Sequence, residues 1–182
     1  MQNKRKRSEK KLVLRKLQLE DEKTFRNAVK DFRRTNPEMT FAHSWDDTCD
    51  FSWYLKLLED WRLGKSLSRG FVPNSYLVGV VDDKVIGRSS LRYGLNPFLR
   101  NVGGHIGYAV LASERQKGYA TEILMQSLDL IKSVGVTKVL LTCDEGNAGS
   151  QKIIESAGGV YSNTYDDKEL KTPKRRYWIT LD

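Results

Sequence analysis

The chain has 182 residues, of which 39% are hydrophobic and 30% are charged, and these values are typical of a single globular domain. No apolar stretch approaches the roughly 18 residues that a membrane-spanning helix requires, which argues against a membrane partner. The N-terminus lacks the apolar segment of a secretory signal, so we expect a cytoplasmic location.

Positive charge is concentrated at the N-terminus. Residues 1–11 carry a net charge of +5, whereas the rest of the chain carries +3 of the total of +8. A block of like charge is typical of a disordered tail, so we expect a tail at 1–11 and one folded domain at 12–182. The K-R-K-R run also fits a nucleic-acid or ribosome tether, but the mild charge of residues 12–182 argues against nucleic acid as the main partner.

The cysteine and histidine residues give no sign of a metal site or a disulfide framework. Cys49 and Cys143 lie far apart in the sequence and form no C-x-x-C motif, which favours a reducing compartment. His43 and His105 lack metal-ligand spacing. We therefore expect no bound metal.

Hydrophobic periodicity and turn residues divide the chain into eleven elements. In chain order these are a strand at 11–17, helices at 21–34 and 47–63, strands at 75–81, 84–92 and 104–110, a helix at 119–134, a strand at 137–143, a helix at 147–157, and strands at 160–165 and 176–181. Central strands that alternate with helices, flanked by hairpins, predict a mixed α/β sheet.

Two local features refine the helices. Asp21 is a candidate N-cap for the first helix, because its carboxylate can accept a hydrogen bond from an unpaired amide of the first turn. Trp53, Leu57 and Trp61 recur every four residues in the second helix. This spacing predicts that the three side chains share one buried face.

A loop between the predicted strand at 104–110 and the next helix has the properties of a phosphate-binding site. Gly118 has no Cβ, so a phosphate oxygen can approach its backbone closely. The first amides of the following helix are unpaired, and the helix dipole is positive there. Arg115 and Lys117 add positive charge. A diphosphate is the ligand that this arrangement favours. The Walker pattern and the dinucleotide pattern G-x-G-x-x-G are both absent.

Two motifs carry a family resemblance. Arg115-x-x-Gly118-x-Ala120, placed between a strand and a helix, resembles the pyrophosphate-binding motif R/Q-x-x-G-x-G/A of the GCN5-related N-acetyltransferases (GNAT). Asn147-x-x-Ser150 is similar to the N-x-x-[AS] pattern that opens the fourth helix of that family. The run G-G-H-I-G-Y-A-V and the closing R-Y-W-I also resemble a bacterial branch of predicted acetyltransferases.

The resemblance implies a GNAT-like acyl-CoA N-acyltransferase fold with the order β-α-α-β-β-β-α-β-α-β-β. It also implies that the strands at 104–110 and 137–143 splay apart and that acetyl-CoA, the co-substrate, enters the gap. The backbone of Tyr108 and Val110 is then expected to contact the pantetheine chain. The other expected cofactor contacts are Arg115, Gln116, Lys117, Gly118, Tyr119, Ala120, Thr121, Asn147 and Ser150. The alternatives are an ordinary solvated turn at 115–120 and a simple helix cap at Asn147.

The implied reaction is direct transfer of an acetyl group from acetyl-CoA to a primary amine of a small-molecule or peptide acceptor in a ternary complex. It requires an oriented thioester, a deprotonated amine and a stabilised leaving thiolate. Many relatives use a tyrosine seven residues after the helix-opening Asn as the acid, but Ile154 occupies this position. Tyr108, Tyr161, Tyr177 or water are the candidate replacements.

Three further side chains, Asp144, His105 and Cys143, bear on the choice of a general base or a nucleophile. Asp144, at the end of a predicted strand, is our first candidate for the general base, with a turn-forming role as the alternative. His105 has a suitable intrinsic pKa, but a lone histidine in a strand more often packs in the core. Cys143 is interpreted as a small buried hydrophobe.

The resemblance also places the acceptor pocket at 39–61 and 166–174. Asp46, Asp47 and Asp50 would favour a cationic acceptor, or would instead complement a helix dipole. The sequence leaves the acceptor, the acyl-chain preference and a homodimer open. A non-catalytic acyl-CoA sensor, motivated by the missing tyrosine, and a nucleic-acid or ribosome-associated module using the basic tail are the alternative functions.

Overall fold

The computed structural model describes residues 11–181, so the predicted tail lies outside the described residues except for Lys11. The elements are, in chain order, β1 (Val13–Lys16), α1 (Glu22–Thr35), α2 (Phe51–Arg62), β2 (Asn74–Val81), β3 (Lys84–Arg92), β4 (Ile106–Val110), α3 (Tyr119–Ser133), β5 (Lys138–Asp144), α4 (Ala148–Ser156), β6 (Val160–Tyr165) and β7 (Lys174–Thr180). All eleven predicted helices and strands are present in the predicted order, and the mixed α/β fold is confirmed.

The strands form two antiparallel sheets, one in the order β1-β2-β3-β4 and the other in the order β5-β7-β6. The edges of β4 and β5 meet at one place. The His105 N–H donates to the Leu140 carbonyl at 2.7 Å, and the Leu140 N–H donates to His105 Nδ1 at 2.8 Å. Within residues 11–181 no strand ladder joins β4 to β5 beyond this contact. The predicted splaying of the central strands is therefore confirmed.

Helices cover both faces of the first sheet. The apolar side chains of α1 and α2, led by Phe25 and Tyr54, pack on one face, and those of α3, led by Leu124, pack on the other. The apolar side chains of α4, led by Ile154, join the α3 core next to β5 of the second sheet. All four of these side chains are fully buried. In the described part of the chain, no helix combines the length and the apolar character that crossing a membrane requires.

The prediction for the aromatic stripe of α2 is wrong in its orientation. Trp53 is 52% exposed, whereas Tyr54 is completely buried. The side chain of Asp50 accepts a hydrogen bond from the Trp53 amide, so the helix begins at Phe51. The buried face is therefore the one that carries Phe51, Tyr54, Leu58 and Trp61.

Asp21 is the N-cap residue of α1, as predicted, but the expected capping bond of its side chain is absent. Its carboxylate makes no capping bond to α1 but accepts hydrogen bonds from the Gln18 amide at 2.9 Å and from Arg15 at 2.6 and 2.9 Å. Burial raises the pKa of Asp21, but these hydrogen bonds and the Arg15 charge outweigh it, so the pKa lies below its usual range. Asp21 thus ties the end of β1 to the start of α1.

Gly104 allows β4 to approach β5. Its φ is +62°, a conformation that favours glycine, and a Cβ at this position would lie 2.5 Å from the Leu140 carbonyl oxygen. The contact between His105 and Leu140 therefore depends on the absence of a side chain at Gly104.

We expect Gly104→Ala to destabilise the protein more than Gly135→Ala, as measured by denaturant unfolding. Gly135 has a φ of +90° and no atom within 4 Å of a built Cβ, so its substitution introduces only the backbone strain of about 1–2 kcal/mol. Gly104→Ala adds a clash worth about 1–3 kcal/mol. Equal losses in the two variants would show that the close approach at Gly104 does not limit stability.

Candidate active site

A cleft of about 660 Å³ lies between the second half of β4 and the starts of α3 and α4. Nine of the eleven predicted cofactor contacts line it: Tyr108, Val110, Arg115, Gln116, Gly118, Ala120, Thr121, Asn147 and Ser150. Lys117 and Tyr119 belong to the same loop but do not line the cleft. Phe32, Asn36 and Met39 form part of the opposite wall.

Met39 begins the predicted acceptor region at 39–61, whereas Phe32 and Asn36 were not predicted as site residues. Phe32 is 1% exposed. Asn36 accepts a hydrogen bond from Arg115 at 2.8 Å across 79 positions of sequence. Since this contact is tertiary, no local sequence pattern indicates it.

The edge of β4 that faces the splay is free to pair with a ligand. His105 and Leu111 flank β4 on either side. The Arg92 N–H donates to the His105 carbonyl, and the Leu111 N–H donates to the Ile86 carbonyl. The odd-numbered residues of β4 between them therefore also direct their backbone groups toward β3. Backbone groups alternate in direction along a strand. Those of Tyr108 and Val110 therefore point to the open edge, where the sequence predicts pantetheine contacts.

The loop 115–120 presents unpaired amides to the cleft. Gln116 and Gly118 have positive φ values of 60° and 84°, and no atom lies within 4 Å of a Cβ built on Gly118. In the described chain, the N–H groups of residues 116–118 donate to no other backbone group. The first amides of α3 also lack partners inside the helix. Such a set of amides fits an anion such as a diphosphate.

The charged side chains of this loop are engaged with neighbours. Arg115 donates to Asn36 at 2.8 Å and to the Val110 carbonyl at 3.4 Å. Lys117 forms an ion pair with Glu114 at 2.8 Å. The loop therefore offers a ligand mainly its backbone amides, together with the nearby Arg115 charge.

At the start of α4, Asn147 is both a helix cap and a residue of the cleft, which the sequence analysis gives as alternatives. Its Oδ1 accepts a hydrogen bond from the Ser150 amide at 3.0 Å, so it is an N-cap. It also lines the cleft, as does Ser150. The cap uses only the oxygen of the Asn147 amide, which leaves its NH₂ group available to a ligand.

Tyr108 is the candidate acid that the structure places in the cleft. Its hydroxyl lies 2.9 Å from the Ser150 hydroxyl, which links β4 to α4 across the splay. Burial raises the pKa of Tyr108, against the opposing effect of the Ser150 hydrogen bond, so the phenol is protonated at neutral pH. Tyr161 and Tyr177 do not line the cleft, and Ile154 is fully buried.

Asp144 lies at the end of β5 and does not line the cleft, although its backbone carbonyl accepts a hydrogen bond from the Asn147 amide at 2.9 Å. Its Oδ1 accepts a hydrogen bond from Thr172 at 2.8 Å and pairs with Lys174. Burial raises the pKa of Asp144, but the hydrogen bonds from Lys174 and Thr172 and the Lys174 charge outweigh it, and the pKa falls below its usual range. The role of Asp144 as a base stays a prediction.

His105 and Cys143 have structural environments. The His105 Nδ1 accepts a hydrogen bond from Leu140, so the neutral ring carries its proton on Nε2 and has no free lone pair for a base. Burial and the charges of Arg100 and Arg92 lower the pKa of His105 to about 4. Burial raises the pKa of Cys143 to about 11, which keeps the thiol protonated.

Comparison with known families identifies the family and the fold. A family model described as an acetyltransferase (GNAT) domain matches residues 11–160. The chain belongs to the GNAT acetyltransferase family. The family resemblance predicted from the sequence is confirmed, and with it the acyltransferase fold and acetyl-CoA as the co-substrate. Within residues 11–181, no group of three or more His, Cys, Asp or Glu side chains is arranged to hold a metal ion.

Solved structures share this fold at low sequence identity. A ribosomal-protein-S5-alanine acetyltransferase from Vibrio fischeri is 18% identical with a TM-score of 0.66, over 94% of this chain and 93% of that one. RimJ of Mycobacterium smegmatis, in complex with CoA-disulfide, is 18% identical with a TM-score of 0.67, over 93% and 81% of the chains. A putative acetyltransferase from Salmonella typhimurium with its cofactor acetyl-CoA is 16% identical with a TM-score of 0.61, over 94% of each chain. No curated protein matches the chain significantly.

Proposed function

We propose that this GNAT protein is an N-acetyltransferase that transfers the acetyl group of acetyl-CoA directly to a primary amine, with both substrates bound together. The observation that carries the proposal is the convergence of nine predicted cofactor contacts on one cleft beside the free edge of β4. The cleft also reaches Phe32, Asn36 and Met39 on the side of α1, which leaves an approach for an acceptor.

The residues present fit the co-substrate. The unpaired amides at 116–120 would hold its diphosphate, and the backbone of Tyr108 and Val110 would pair with its pantetheine amides as an added strand does. Asn147 would donate from its NH₂ group. Bound there, acetyl-CoA supplies an activated acetyl thioester.

Two protein groups would move the protons. The Tyr108 hydroxyl, protonated and oriented by Ser150, would donate its proton to the departing thiolate. Asp144, ionised and held by Lys174, is our candidate to accept the proton of the amine. Cys143 stays a neutral thiol and takes no part, so the acetyl group passes to the acceptor without a cysteine intermediate.

The first test is calorimetric titration with acetyl-CoA of the wild type, Gly118→Glu and Gly118→Ala. Gly118→Ala introduces only backbone strain, because φ is +84° and the space around a Cβ is open. Gly118→Glu adds a negative charge beside the diphosphate. We expect it to bind acetyl-CoA at least about tenfold more weakly than Gly118→Ala, a difference of about 1.4 kcal/mol. Equal affinities of the two variants for acetyl-CoA would show that the diphosphate does not bind at this loop.

We expect Tyr108→Phe to lower kcat by about 100-fold, because general acid catalysis typically contributes about that factor or more. The affinity for acetyl-CoA should change little, since the pantetheine contacts are made by the backbone. Tyr161→Phe is the matched control, because Tyr161 hydrogen-bonds to Thr164 outside the cleft. An unchanged kcat in Tyr108→Phe would show that Tyr108 is not the acid and would favour water in that role. Acetyl-CoA binding without turnover on any amine would favour the non-catalytic sensor.

For the base, we expect Asp144→Asn to lower kcat and leave the affinity for acetyl-CoA unchanged. Lys174→Met should shift the acidic limb of the kcat/KM profile to higher pH, because removal of the cation raises the pKa of Asp144. Lys171→Met is the control, since Lys171 pairs with Glu38 instead. A wild-type rate in Asp144→Asn would exclude Asp144 as the base.

A further inference from the structure

Two arginines of β3, the buried Arg88 and the half-buried Arg92, have no acidic partner among the described residues. Arg88 is 7% exposed, and its guanidinium donates to the carbonyls of Gly107 at 3.0 Å and Thr40 at 3.1 Å. Arg92 donates to the carbonyls of Gly103 at 2.8 Å and Gly104 at 3.1 Å. Within residues 11–181, neither forms an ion pair with a carboxylate.

This absence is unusual because buried charges need partners more than exposed ones do. Exposed and half-exposed basic side chains of this chain form ion pairs with acidic ones, as in Lys16–Glu59 and Arg62–Glu59. The Nε atom of Arg88 is buried and has no hydrogen-bond partner at all. Burial lowers the pKa of Arg88, and burial together with the charge of Arg88 lowers that of Arg92 to about 10. An anion in this region would therefore be strongly favoured.

A cavity of about 200 Å³ is lined by Arg92, whereas Arg88 does not line it. Its polar walls are His43, Asn74, Ser90 and Arg92, and its apolar walls include Trp61, Phe71, Phe98 and Leu99. Among residues 11–181, no Asp or Glu lines it. The cavity thus offers positive charge and hydrogen-bond donors at one side and aromatic surface at the other.

The cavity lies next to the cleft. A Cβ built on Gly107 would be 3.2 Å from an Arg92 nitrogen, and Gly107 directly precedes Tyr108, about 3.3 Å along the strand. On the opposite wall, Met39 lines the cleft and His43 lines the cavity. The segment 39–43 therefore borders both the cleft and the cavity.

The aspartates that the sequence offered for a cationic acceptor are engaged elsewhere. Asp46 accepts from the Thr48 amide and hydroxyl, Asp47 pairs with Arg33 at 3.2 Å, and Asp50 caps α2. Arg88 and Arg92, by contrast, have no ion-pair partner among the described residues.

We propose that this cavity binds a carboxylate of the acceptor, and that the acceptor is a free amino acid or a short peptide whose amine is acetylated. This inference rests on the proposed amine acetylation. Arg92 and Asn74 hold the carboxylate, the rings of Trp61 and Phe71 contact an apolar side chain, and the amine is directed toward β4 at Tyr108.

The test compares matched probes: leucine, methionine, phenylalanine and tryptophan, and the dipeptides of alanine with each, every one as the free acid and as the carboxamide. Binding to the full chain is measured by calorimetry in the presence of CoA, and turnover is measured as thiol release from acetyl-CoA. We expect at least one acid to bind tenfold or more tightly than its amide. If every pair binds equally, or if nothing binds, the carboxylate site is wrong.

Asn74→Asp tests the site with almost no change in shape. Asn74 pairs directly with Arg92 across β2 and β3, so the new carboxylate would neutralise Arg92 from within the cavity. We expect the preference for acids to disappear and the affinity for acetyl-CoA to remain. Asn163→Asp, on the exposed strand β6, is the control for the same change in charge. A preference that survives in Asn74→Asp overturns the assignment.

The two proposals fail in different ways. If acids bind but no probe causes thiol release from acetyl-CoA, the result would contradict the acetylation of such amines and support the carboxylate site. Equal thiol release with acids and amides would support amine acetylation and contradict the carboxylate site.

Discussion

The structure depends on how little β4 and β5 pair. One backbone bond and one bond to the His105 ring hold the two strands together at Leu140, and the ladder does not continue beyond them. A complete ladder would satisfy the edge of β4 and close the cleft. Because the pairing stops, the backbone of Tyr108 and Val110 stays available, and α3 and α4 begin on either side of the gap. The two bonds between His105 and Leu140 therefore join the two sheets at one place and leave the rest of the β4 edge open.

The parts of the fold and site that the sequence predicted are those that local rules decide. Helix periodicity, turn residues and the glycine at 118 all act within a few positions, and the type and order of the elements were predicted correctly, although the second helix begins at Phe51 and not at 47. The exposure of Trp53 was missed because a neighbouring face, which carries Tyr54, buries more aromatic surface against α1 and β2. The pairing of Asp144 with Lys174, 30 positions away, and that of Arg115 with Asn36 are tertiary and left no local signal.

Charge is distributed differently on the two sides of the reaction centre. On the side of the loop 115–120, Lys117 is neutralised by Glu114 and Arg115 is fixed to Asn36, so the unpaired backbone amides are the main groups that we propose for anion binding. On the side of α1 and α2, Arg88 and Arg92 keep their charges without acids. Amides bind a diphosphate without carrying a full charge themselves, whereas a buried arginine without an anion is costly. The cost is understandable where a ligand supplies the missing charge.

Two glycines connect these features. At Gly104 a Cβ would meet the Leu140 carbonyl, and at Gly107 it would meet the guanidinium groups of Arg92 and Arg88. The first absence of a side chain lets β4 approach β5, and the second lets the arginines lie flat against β4 beside Tyr108. The short run G-G-H-I-G-Y thus sets both the splay that opens the cleft and the position of the positive charge next to it. A larger residue at 107 would push the arginines away from the acetyl-transfer site and leave the splay intact.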